Sequence, residues 1–210
     1  MNCIAELLGP RAEVVLHDVS HPDHSLIMIR NGHVTGRNVG APLTDLGFYM
    51  LRESEHKIDT LGVYQSKTDD GRLLRCNAAN LRDAHGKVEA ILCINIDITA
   101  ETQPVDNAAP TGPTEHYQTS IERVIDGMIS DAYRSVEGSL SRDHKFDLVC
   151  ALDARGVFLA RGAVRRVASA LGVATPTVYK YLQQARRHRV TARTTRTRWG
   201  TRSPRSGSRA

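Results

Sequence analysis

Residues 161–187 read RGAVRRVASALGVATPTVYKYLQQARR, and this stretch decides how the rest of the chain is to be understood. Apolar residues recur at Val164, Val167, Ala168, Leu171 and Val173, then at Val178, Tyr181 and Leu182. Both sets have the three-and-four spacing of one helix face, and Gly172 interrupts them. A glycine there lets the backbone take a positive φ, which a Cβ would oppose. Thr175 is placed to accept a bond from the free N–H groups of a new helix. Pro176 would occupy the first helical position, where its missing N–H costs nothing. The spacing therefore predicts a helix, a tight glycine turn and a capped second helix.

Two helices joined in this way form the helix-turn-helix of DNA readers. Ala168 is small where the second helix would cross, and Val178 would close the core between them. The outward face of the second helix is then Thr177, Tyr179, Lys180, Gln183 and Gln184. We expect Thr177, Tyr179, Lys180 and Gln183 in a major groove, with Arg161, Arg165 and Arg166 on phosphates. An ordinary helical hairpin would show the same apolar spacing. However, no Asp or Glu follows Asp153, whereas a solvated hairpin normally mixes its charges.

The 210-residue chain has room for one large domain or two small ones. Residues 154–210 hold 14 Lys and Arg and no acid; with a whole-chain charge of +5, residues 1–153 carry −9. An acidic front and a basic rear suggest two functions, and only the rear is drawn to a polyanion. Cys3, Cys76, Cys93 and Cys150 form no CxxC pair, which suits free thiols in a reducing compartment. The start, MNCIAELLGPRAEVV, lacks the pattern of a signal peptide, and no apolar run has membrane-spanning length. A cytoplasmic protein with no membrane partner is expected.

In chain order, residues 2–8 read as a short helix stopped by Gly9-Pro10. Glu13–Ser20 and Ser25–Arg30 read as strands, with Asn31-Gly32 as a hairpin dipeptide. Pro42–Arg52 returns to helical spacing. Gly62–Thr68, Arg72–Leu81 and Val88–Thr99 are then strands separated by tight turns. Two strands, a helix and three strands make an antiparallel α+β domain over residues 1–100, in the order of a PAS domain. Residues 101–114, with three prolines, read as a linker. Residues 115–188 are the helical region. One helix carries Ile121, Val124, Ile125, Met128, Ile129 and Ala132 along one side, and another spans Lys145–Asp153. The Arg- and Thr-rich residues 189–210 should be a disordered basic tail.

Several blocks in fixed order resemble a known family. LGPRAEVVLHDVS, NGHVTGRNVGAPLTDLG, DGRLLRCNAANLRD and AILCINIDIT are similar to the YheO-like PAS domain. RGAVRRVASALGVATPTVYKYLQQAR is similar to the helix-turn-helix that accompanies it, as in DauR-type regulators. The resemblance covers about residues 5–187 and implies a bacterial transcription factor with an N-terminal sensor and a C-terminal DNA reader. The arginine-rich tail departs from the family pattern and is expected to be dispensable for specific binding.

Other candidate sites carry plainer alternatives. His17, His21, His24 and His33 lie close in sequence, but strand alternation scatters neighbours, so a surface loop is expected rather than a metal site. On the last strand Leu92, Ile94, Ile96 and Ile98 share one face, and Cys93, Asn95, Asp97 and Thr99 the other. Cys93, Asn95 and Asp97 are the candidate ligand contacts; the reading slightly favours that row facing solvent or a second subunit. Arg37, Arg72 and Arg75 are expected at the surface. There is no Gly-rich phosphate loop, no HExxH and no flavin-attaching cysteine motif; Cys93 lacks a positioned base. The sequence thus predicts a non-enzymatic, homodimeric regulator that reads a double-stranded DNA operator and senses a small-molecule effector, with no cofactor or metal. The competing readings are an interaction module whose basic end meets RNA or a protein, and a small metal-dependent enzyme.

Overall fold

A computed structural model of the chain describes residues 1–53, 59–101, 115–134 and 141–198, with side chains through Arg187. The expected linker lies almost wholly outside the described residues, as do residues 199–210. Helix α1 spans Asn2–Leu8 and ends at Gly9, whose φ of 81° no other residue type adopts cheaply. Strand β1 (Ala12–Asp18) and strand β2 (Leu26–Arg30) follow, joined through a 3-10 turn at Pro22–His24. Helix α2 covers Asp45–Glu53. Its first turn is held by the Thr44 hydroxyl, which accepts from the Gly47 N–H at 3.0 Å, the geometry of an N-cap. Strands β3 (Tyr64–Lys67), β4 (Leu73–Arg82) and β5 (Val88–Asp97) complete an antiparallel sheet in the order β2-β1-β5-β4-β3.

The alternation in β4 shows why the sheet has an inside. Leu74, Cys76, Ala78 and Asn80 are buried, and the intervening residues are half-buried or exposed. In β5, Ile91 and Asn95 are buried and Cys93 packs against core, so the row containing Cys93 and Asn95 faces inward. This corrects the expectation that the polar row looks outward. The concave face needs a cover, and α2 supplies one.

Helix α3 (Ile121–Arg134) buries Val124, Ile125, Met128, Ile129 and Ala132, the residues whose spacing announced it. Helix α4 (Arg142–Ala154) begins at Ser141, whose Oγ accepts from the His144 N–H at 3.1 Å. A 3-10 turn at Val157–Leu159 leads to α5 (Ala163–Ala170) and α6 (Thr175–Arg198). One continuous apolar core runs from Leu43, Phe48 and Ile91 under the sheet to Val167, Val178 and Leu182 in the helical half. Removing that surface from water holds the two halves together.

Three further expectations change. Asn31-Gly32 makes no hairpin: Asn31 itself takes the positive φ, 58°, and its amide donates to the Gly9 and Ala12 carbonyls at 3.1 and 2.7 Å. The chain then turns toward α2 instead of pairing. His17 is buried rather than on a surface loop, and Arg37 is only 2% exposed, because both lie under the cover of the sheet. Helix α6 runs to Arg198, and the rest of the expected basic tail lies outside the described residues.

Candidate DNA-reading surface and sensor cavity

The reader begins with the turn between α5 and α6. Gly172 has φ 60°, and its N–H donates to the Ser169 carbonyl at 3.1 Å. The Val173 N–H donates to the Ala168 carbonyl at 3.0 Å. This pair of crossed bonds is a Schellman motif, which satisfies carbonyls that the end of α5 would otherwise leave free. Val167, Ala168, Leu171, Val178, Tyr181 and Leu182 close the small core between the helices. Phe146 of α4 meets Tyr181 edge-on, ring centres 5.7 Å apart and planes at 77°, a favourable aromatic geometry. Helix α4 thereby serves as the supporting third helix.

With Val178, Tyr181, Leu182 and Ala185 turned inward, Tyr179, Lys180, Gln183 and Gln184 are left exposed on α6. Thr175 and Thr177 are half-buried. Thr175 is the first residue of the helix itself, and the backbone bond at its start runs from the Thr177 N–H to the Ala174 carbonyl at 2.9 Å. Arg161 and Arg165 are exposed on the approach to α5. The Arg161 backbone N–H also donates to Asp23 at 3.1 Å, tying the reader to the β1–β2 connection.

Arg166 is differently placed. Its Nε donates to Asp126 Oδ1 of α3 at 2.9 Å, and its Nη2 to Oδ2 of the same carboxylate. Sequence spacing could not show this pair, because α3 and α5 are brought together only by packing. The carboxylate raises the Arg166 pKa further by stabilising its charged form. Tyr133, also on α3, donates its hydroxyl to the Ala170 carbonyl at 2.7 Å. Helix α3 therefore grips α5 at two points.

Under the sheet lies a narrow cavity, walled by His17, Leu43, Met50, Tyr64, Cys93 and Glu115 among others, with space for about one water molecule. His17 Nδ1 is 2.7 Å from Ser25 Oγ, and burial holds the imidazole neutral with its pKa down to about 3. Cys93 is kept as a thiol, since burial pushes its pKa up. Asn95 donates to Glu13 Oε1 at 2.9 Å, and Thr35 donates its hydroxyl to Glu13 Oε2 at 2.6 Å. Arg37 donates through Nη2 to the Pro42 carbonyl, whereas its buried Nε has no partner among the described residues. Asp97 does not join Cys93 and Asn95: it accepts from the Thr99 N–H at 2.9 Å at the end of the sheet. Arg72 and Arg75 stay at the rim, paired with Asp70 and Glu101. His21 lies against Asp18, and His24 against the Gly40 carbonyl, so the histidines do not converge.

Glu13, Tyr64, Glu115 and Tyr117 were not singled out in the sequence. Only Glu13, a carboxylate at the head of the apolar run EVVL, carried a signal. A second polar node joins the two halves. His116 donates its N–H to Asp45 Oδ1 at 2.8 Å, and its Nδ1 is 2.8 Å from Asp45 Oδ2. Asp45, His116 and Asp131 come close enough to share a cation. The Arg155 guanidinium stands among them, with Nη2 3.8 Å from Asp45 and 3.4 Å from Asp131.

A cupped antiparallel sheet joined through one core to a helix-turn-helix is the build of a DNA-binding regulator with a PAS-type domain. The comparisons with known proteins agree. The family model for the YheO-like PAS domain matches residues 1–108, and an HTH domain model matches residues 120–183. The chain is 30% identical to the transcriptional regulator DauR of Pseudomonas aeruginosa over 193 residues, covering 86% of this chain and 89% of that protein. It is 27% identical to the protein YheO of Escherichia coli over 191 residues, covering 86% and 80%. A protein of Haemophilus influenzae is 28% identical over 197 residues, covering 86% of each. The chain belongs to the family of regulators that pair a YheO-like PAS domain with a helix-turn-helix. No helix among the described residues is long and apolar enough to cross a membrane.

Proposed function

We propose that the protein is a cytoplasmic, dimeric transcriptional regulator that reads a specific double-stranded DNA operator through α6 and is controlled by a small molecule bound in its PAS domain. The observation that carries this reading is the outward face of α6: Tyr179, Lys180, Gln183 and Gln184 are exposed, beside Arg161 and Arg165, in a region containing no acid. Lys and Gln present the donors that base edges accept, and the arginines supply the phosphate attraction. Two copies would set two readers a helical turn apart, which explains why a dimer is needed. A small-molecule effector acts by binding one arrangement of the two halves better than another. The shared core and the grip of α3 on α5 supply the mechanical connection.

No catalytic step enters this reading. Cys93 is a half-buried thiol whose raised pKa works against its use as a nucleophile. A gel-shift titration with the DNA upstream of the protein's own gene, with specific and random competitors, tests the proposal. Retention that only the specific competitor abolishes is expected. Equal competition by both, or retention of RNA in preference to duplex DNA, would defeat it.

A further inference from the structure

The segment Glu115–Tyr117 belongs to no helix or strand, and the burial of its side chains alternates. Glu115 and Tyr117 enter the space beneath the sheet, and His116 points the other way, to Asp45. Tyr64 donates to Glu115 Oε2 at 2.8 Å, and Tyr117 donates to the same oxygen at 2.9 Å. Tyr117 also lies 3.3 Å from Cys76 Sγ and packs with Val34 and Leu74. Glu115 is only 7% exposed, and its Oε1 accepts no hydrogen bond from any described residue. Its carboxylate lines the cavity. Arg37, with its unpartnered Nε, lies within electrostatic reach of the same carboxylate.

As packed, the cavity takes about one water, so anything larger must displace a side chain. Most of its walls belong to the sheet and to α2, where displacement would open the core. Glu115 belongs to neither. Burial pushes its carboxyl pKa up, so its return to water recovers hydration lost on folding. The group that leaves most readily is therefore a carboxylate, and it leaves behind the Tyr64 hydroxyl, with the Arg37 guanidinium within electrostatic reach.

We infer that Glu115 is an internal stand-in for a ligand carboxylate: the PAS cavity binds a small monocarboxylate with an apolar body, which takes over Tyr64 and Arg37 and expels Glu115–Tyr117. The apolar wall of Leu43, Met50 and Ala78 receives the rest of the ligand. Expulsion pulls on the chain just before α3, the helix that holds Arg166 through Asp126 and the end of α5 through Tyr133. The inference rests on the effector-sensing part of the proposed function and gives that effector a chemical class.

Calorimetric titration of the full chain with acetate and propionate, against acetamide and propionamide, tests it without DNA. Glu115→Ala vacates the carboxylate position and should bind propionate about tenfold more tightly than the wild type, because no internal competitor remains. It should also prefer propionate to propionamide by about tenfold, and adding Tyr64→Phe should remove most of that preference. Propionate binding no tighter than in the wild type, or no better than the amide, would overturn the inference. If Glu115→Ala does not fold, Tyr117→Phe keeps the ring and removes one bond to Glu115. It should tighten propionate binding several-fold, and an unchanged affinity would be equally fatal. A failed gel shift would leave this titration standing, and a failed titration would leave DNA binding standing.

Discussion

Gly156 packs its backbone against the backbone of Phe48, joining the end of α4 to the middle of α2. Its φ is 81°, and a Cβ built on it would lie 2.5 Å from the Phe48 carbonyl oxygen and 3.2 Å from Arg52 Cβ. Arg52 meanwhile donates Nε to the Asp153 carbonyl at 3.2 Å and pairs with the Asp153 side chain at 3.3 Å. The joint between the sheet domain and the helix-turn-helix is thus a close backbone contact flanked by a partly buried ion pair.

Gly156→Ala should therefore destabilise the chain by about 3 kcal/mol, combining an unfavourable φ with a collision against main-chain atoms that cannot yield. Gly162 is the control: its φ is 79°, but nothing lies within 4 Å of an added Cβ. Gly162→Ala should cost about 1 kcal/mol. Denaturant unfolding of the two variants checks this, and equal losses would mean that the Phe48 contact carries no weight.

Lys180→Ala and Gln183→Ala should each reduce discrimination between operator and random DNA by about 1–3 kcal/mol if they touch base edges. Arg161→Ala should weaken binding to both DNAs alike. Competition gel shifts separate the patterns, and uniform losses for all three variants would remove α6 from the groove.

Asp126→Ala should release Arg166 for a phosphate. The side chains of this ion pair are 38% and 54% exposed, so its loss should change stability by less than about 1 kcal/mol. Duplex binding should tighten, and the dependence of log K on log salt should steepen by about one. An unchanged slope in a salt series would show that Arg166 serves α3 alone.

Two histidines should shape stability around neutral pH with opposite signs. Hydrogen bonding to Asp45 raises the His116 pKa above 6.5, so His116 stabilises the fold fully below pH 6.5, and the contribution fades as pH rises through the folded value. His17 is held near 3, so unfolding takes up a proton and stability falls as pH drops below 6.5. His116→Asn should flatten the alkaline-side decline, and His17→Gln the decline between pH 6.5 and about 5, above the ordinary carboxylate range. Glu13 and Glu115, raised by burial, act against His17 in that window, so each variant is judged by its difference from the wild type. Thermal unfolding across pH 5–9 reads both, and parallel curves for the variants and wild type would contradict the assignment.

Much of the reader was legible in residues 161–187. Val167, Ala168, Leu171, Val178 and Leu182 are buried as their spacing predicts, and Gly172 holds the positive φ that its place demanded. The order of strands and helices likewise announced an antiparallel sheet followed by helices. These features are local: side-chain direction repeats every two residues in a strand and about every 3.6 in a helix, so neighbours in sequence show which residues share a face. Tertiary structure alone decided that Cys93 and Asn95 face inward, that Arg37 is buried, that Glu115 and Tyr117 fill the space beneath the sheet and that Asp126 holds Arg166. Each of those depends on segments remote in the chain meeting through packing, and alternation within one strand or helix does not say which of its faces another element will cover.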